Sequence, residues 1–128
     1  MSRLAFCAAC LAPWPAVAAD ASAADQLAHW SAQAGASGDA ARGAALFSAR
    51  QGGPWSCASC HGNPPTGAGR HAQTGKPLAP LAPAFNARAF TDAAKVAKWL
   101  RRNCKDVLGR ECSAGEKADL LAWLVSLK

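Results

Sequence analysis

Apolar positions recur at helical spacing in four stretches of the 128-residue chain. Leu27 and Trp30, three apart, predict a first helix over 25–34. Gly38 interrupts that pattern, and Asp39 is a good N-cap for a second helix reaching Arg50. On it Ala40, Gly43, Ala44 and Phe47 share one face, and Gly43 would let another helix approach closely. An ordinary amphipathic helix would show the same spacing. A third helix is predicted over 92–102 with Thr91 as N-cap; Val96, Trp99, Leu100 and Asn103 share its apolar face. Lys95, Lys98, Arg102 and Lys105 share another face, which fits either a docking stripe or a plain solvated surface. The last helix opens on a capping box, Ser113 with Glu116 three residues on, and buries Leu120, Trp123, Leu124 and Leu127. Between the second and third helices, 62–86 has no period and holds Pro64, Pro65, Pro77, Pro80 and Pro83, so strands are not expected there. A structureless stretch of this length in a compact domain is usually functional or disordered. The pattern predicts an all-α domain.

The front of the chain follows a different rule. Arg3 precedes an apolar run over 4–17, and Ala16-Val17-Ala18 has the form of a cleavage site. Residues 1–19 therefore predict a secretory signal, leaving one domain over 20–128. Pro13 and Pro15 oppose a buried helix, and the run is too short to span a bilayer. Cys7 and Cys10 would leave with this segment. The mature chain is expected in the periplasm, without membrane insertion. Fourteen basic against eight acidic side chains give a net charge of +6, and loss of Arg3 lowers that excess by one. A basic surface steers acidic partners; an exported chain meets little nucleic acid, so none is expected. Hydrophobic residues make up 51% of the chain, but alanine supplies much of that, so the core is thin.

The chemistry concentrates in Cys57-Ala58-Ser59-Cys60-His61, a C-x-x-C-H sequence. Two thiols three positions apart can each form a thioether to one haem vinyl group, and the next histidine then offers a ring nitrogen to the iron. A zinc site would need a second ligand pair, and Cys104 and Cys112 are spaced for something else. A thioredoxin-like dithiol lacks its βαβ surroundings. One covalent haem c on Cys57, Cys60 and His61 is the reading that remains.

The second axial position of such a haem is often filled by Met, but the only Met is Met1, inside the expected signal. Three candidates are left. His29 lies near the mature N-terminus, His71 in the glycine-rich loop, and Asn103 on the apolar face of the third helix. A bare amide on that face is costly unless something satisfies it; an Asn at a helix end can also cap carbonyls. Cys104 and Cys112 should pair in an oxidising compartment. A bridge over so short a loop gives ~2–3 kcal/mol in the chain-entropy picture and holds the backbone beside Asn103.

The order of haem motif, proline-rich loop, third helix and final helix resembles class I cytochromes c. More closely, it resembles the sphaeroides haem protein family of oxygen-binding monohaem cytochromes c. The matching stretches are Thr74-Gly75-Lys76, Pro80-Leu81-Ala82-Pro83, Arg88-Ala89-Phe90-Thr91-Asp92, Lys98-Trp99-Leu100, Arg102-Asn103-Cys104 and the run from Gly115 to Leu124. The resemblance covers nearly all of the mature chain. It implies that Asn103 is the sixth ligand of oxidised haem and detaches on reduction, so that O2, NO or CO can bind. It also implies thioethers at Cys57 and Cys60, a proximal His61, and a Cys104–Cys112 disulfide. A dihaem cytochrome c and a membrane cytochrome b are the redox partners it suggests. Ala89 departs from the family, where an Arg tends to precede the Phe, so a propionate contact there is in doubt. Two other functions fit the same residues: a plain electron-transfer cytochrome, or a small haem enzyme reducing oxygen or a nitrogen oxide.

Overall fold

The computed structural model describes residues 21–128; the expected signal over 1–19 lies outside them. In order come α1 (Ala23–Ala34), α2 (Ala40–Ser48), α3 (Cys57–His61), β1 (Gly69–Arg70), β2 (Pro77–Leu78), a 3-10 turn (Pro83–Phe85), α4 (Ala93–Leu108) and α5 (Ala114–Ser126). The all-α expectation holds. One local expectation does not: β1 and β2 pair antiparallel, Gly69 opposite Leu78, inside the loop where no strand was expected. The pairing is two residues long, too short for a hydrophobic period to announce it.

The N-caps explain where the helices begin. Ser22 and Asp25 form a reciprocal box, so α1 starts two residues earlier than its apolar spacing suggests. Asp39 and Ser113 cap α2 and α5 as expected. Asp92, not Thr91, caps α4 by accepting the Lys95 N–H at 2.9 Å. That helix also continues six residues past its expected end at Arg102, to a left-handed Gly109.

α5 is the element on which α1 and α2 both pack. At the α2–α5 crossing a Cβ on Gly43 would overlap the Asp119 carbonyl, so only glycine allows this approach. The same crossing carries an ionic staple. Asp119 accepts the Asp39 N–H at 2.7 Å and the Arg42 guanidinium at 2.8 Å through both Nε and Nη2. Phe47, Leu120 and Leu124 form the buried cluster, with Leu81, Phe90 and Trp123 against it. Leu121 is also fully buried, although the apolar face read from the sequence did not include it.

α4 stands apart. It makes no extended contact with any other helix or strand among the described residues. Yet it is strongly amphipathic, with Val96, Leu100, Asn103 and Val107 turned toward a cavity and a charged face outside. It is tied down by the Cys104–Cys112 disulfide, whose Cα atoms lie 5.5 Å apart. The segment leading to it is held by its own backbone groups. The Pro65 carbonyl accepts the Leu81 and Ala82 N–H groups at 3.1 Å, and Asn86 donates to the Pro80 carbonyl at 2.8 Å.

Candidate functional site

The C-x-x-C-H residues form the single turn α3. A helical turn places residues three and four apart on one face, so Cys57, Cys60 and His61 all line the same cavity. The turn is set by Ser56, whose N–H donates to the Ser59 Oγ at 2.9 Å. Both thiols are free, although a disulfide has formed at Cys104, which lines the same cavity from α4. Burial pushes the Cys57 thiol up to about 11. Burial also lowers the His61 pKa, which favours the neutral imidazole that ligates metals. The His61 Nδ1 is buried with no hydrogen-bond partner among the described residues.

The cavity has a volume of about 1150 Å³, above the ~300–1,000 Å³ of ordinary small-molecule pockets. Phe47, Leu81, Leu120 and Leu124 form its inner wall and α4 the opposite one. It therefore lies where a packing partner for the apolar stripe of α4 belongs. Two free thiols, a buried neutral imidazole and an apolar void facing an unpartnered helix fit a covalently attached haem. A protein-only metal centre fits less well: no group of three or more His, Cys, Asp or Glu residues is assembled among the described residues.

Of the three candidates for the second axial position, two line the cavity and one does not. His29 sits exposed on α1, edge-on to Trp30 at 4.8 Å, and is not at the cavity. His71 does line the cavity, with its Nδ1 accepting the Thr74 N–H at 3.2 Å. However, its hairpin packs on α3 itself: Gly69 abuts the Cys60 carbonyl, and the Ala72 N–H reaches the Cys60 Sγ at 3.3 Å. The hairpin that carries His71 thus packs on the same turn that carries His61. Asn103 lines the cavity from α4, half-buried, and its amide makes no hydrogen bond to a described residue. Because α4 runs on to Leu108, Asn103 is inside the helix and does not cap its carbonyls.

One cavity residue had no signal in the sequence. Phe90 has φ 64°, the left-handed region that bulky side chains avoid, and it lies both against the core cluster and on the cavity. A glycine would have announced such a turn; a phenylalanine does not.

Residues 33–124 match the family described as a domain of unknown function, DUF1924. The chain is 51% identical over 130 residues to cytochrome c-type protein SHP of Cereibacter sphaeroides, covering 98% of this chain and 99% of that protein. It superposes on the solved structure of oxidized SHP, an oxygen-binding cytochrome c, with TM-score 0.79 and 53% identity, over 84% of this chain and 99% of that one. It also superposes on the solution structure of cytochrome c'' of Methylophilus methylotrophus, described in terms of haem-ligand detachment. That match has TM-score 0.71 and 32% identity, over 82% of this chain and 93% of the other.

Proposed function

Since this chain belongs to the cytochrome c family that includes SHP and carries haem c, we propose that it is a periplasmic, electron-accepting monohaem cytochrome whose sixth axial position is held by Asn103 and opens to diatomic gases. When bound, the haem supplies a one-electron iron couple and an axial position for O2, NO or CO. Cys57 and Cys60 would hold it through thioethers, and His61 would offer its Nε2 to the iron, its Nδ1 being buried in the wall.

The observation that carries this reading is the placement of Asn103. A half-buried primary amide with no protein partner faces the cavity from a wall that His61 does not share. The amide is a neutral, weak donor compared with imidazole or thioether. As a ligand it would favour the ferric ion over the less charged ferrous one. Val96 and Leu100, on the same helix face, keep the vacated space apolar. Oxygen binding and haem-ligand detachment are described for the two relatives, and both support a releasable ligand here. Export rests on the sequence over 1–19. Among the described residues no helix is long and apolar enough to cross a membrane. A dihaem cytochrome c and a membrane cytochrome b are the partners proposed from the family.

Absorption spectra of the ferric and ferrous protein, with and without carbon monoxide, test the assignment. Asn103→Ala should convert the ferric haem to a five-coordinate or water-bound form and speed the binding of added ligands. His71→Ala should leave the spectrum alone. If Asn103→Ala changes nothing while His71→Ala abolishes a low-spin signal, the site is bis-histidine and the gas-binding function falls.

A further inference from the structure

Trp99 is one of two large hydrophobic side chains left exposed among the described residues, at 45%, and it also lines the cavity. It is therefore a piece of the cavity wall that reaches solvent. The Lys98 Nζ and the Arg102 Cζ each lie 5.6 Å from its ring centroid, close enough for a cation–π attraction. Lys95, one turn earlier, is exposed at the same rim.

The charges on this helix divide into two groups. Arg101 and Lys105 are matched by the Glu111 carboxylate at 3.7 and 3.8 Å. Lys95, Lys98 and Arg102 have no carboxylate within 4.0 Å among the described residues. The unmatched cations are the ones gathered about the exposed indole. Trp and Arg are the residues that dominate binding energy at interface centres, and unpaired surface cations steer an oppositely charged partner.

We propose that the α4 surface around Trp99 is the docking face for an acidic electron-donor protein. The inference rests on the haem-binding reading of the cavity and goes beyond it by naming where electrons enter and what recognises the donor. The donor's carboxylates meet Lys95, Lys98 and Arg102, and its apolar centre covers Trp99. One electron then leaves the reduced donor and arrives at ferric iron behind this wall; no bond is made or broken. A membrane is a poorer occupant, because the apolar stripe of α4 faces inward and leaves one aromatic outside.

The test compares two reductants of the holoprotein by stopped flow. Reduced flavodoxin, a small acidic carrier, is the protein probe; photoreduced lumiflavin is the small uncharged one. The flavodoxin rate should fall as salt is added. Lys98→Glu should lower it roughly tenfold and flatten its salt dependence, with Lys98→Gln between. Lys128→Glu, the same charge change at the chain end, should alter it less than twofold, and the lumiflavin rate should be equal in every variant. Equal effects of Lys98→Glu and Lys128→Glu, or a salt-independent flavodoxin rate, would overturn the docking face. So would anionic-vesicle binding or dimerisation that depends on Lys98 while flavodoxin rates do not. Failure of the haem reading itself looks different, since lumiflavin would then reduce nothing.

Discussion

At the scale of single residues, two backbone positions and two ion pairs have definite energetic consequences. Phe90 holds a left-handed conformation that only glycine adopts freely. Phe90→Gly should therefore be less destabilising than Phe90→Ala by about 1 kcal/mol, the reverse of the usual order; urea midpoints of the two variants give the comparison. Gly43→Ala should cost about 1–3 kcal/mol, because the new methyl meets the Asp119 carbonyl in a packed crossing. Hydrogen bonding from Arg42 holds the Asp119 carboxyl below its ordinary range. Arg110 likewise holds Glu116 at about 2. Both carboxylates thus stabilise the fold above the unfolded-state values near pH 4, and lose that contribution as pH falls through the lowered values. Arg42 is largely exposed, so solvent screens much of the Asp119 attraction. Asp119→Asn should cost about 1 kcal/mol at pH 7 and less at pH 3, read from denaturation midpoints at the two pH values.

At the scale of elements, the sequence was most legible where a cap or an apolar period marked a helix. Asp39 and the Ser113–Glu116 box stand where they were expected. The end of α4 was obscured because Arg101 and Arg102 look like a last turn. Val107 continues the inward stripe, and Gly109 supplies the stop signal. The hairpin at 69–78 was not legible, because its partner is the backbone of α3 and no side-chain period records that. Of the site, C-x-x-C-H could be read from spacing alone. Where His71 and Asn103 stand in the cavity could not, since no pattern in the sequence records which element of the wall each belongs to. The disulfide links α4 to the approach of α5. Cys112→Ser should cost ~2–3 kcal/mol and make the ferric absorption spectrum more mixed, because Asn103 then sits on a looser helix. An unchanged spectrum would leave the bridge a structural staple alone.

At the scale of the whole molecule, α1 and α2 close on α5, whereas α4 closes on a cavity. Sixteen residues of helix that, among the described residues, make no extended contact with another helix or strand are marginal on their own. A Cys57→Ser/Cys60→Ser chain should keep α1, α2 and α5 and lose the helicity of α4. Hydrogen exchange would show 93–108 unprotected in that chain and protected in the holoprotein. This bears on the order in which the molecule is made. A chain threaded across a membrane arrives unfolded, and whatever enzyme joins haem to it must reach Cys57 and Cys60 before they are enclosed. Here the apolar stripe of the enclosing wall packs on the cavity and its main anchor is the disulfide, so the scaffold can assemble first and still leave the thiols accessible. Attachment then becomes the step that completes folding, and on the proposed export route a chain that misses it would remain open to proteases at α4.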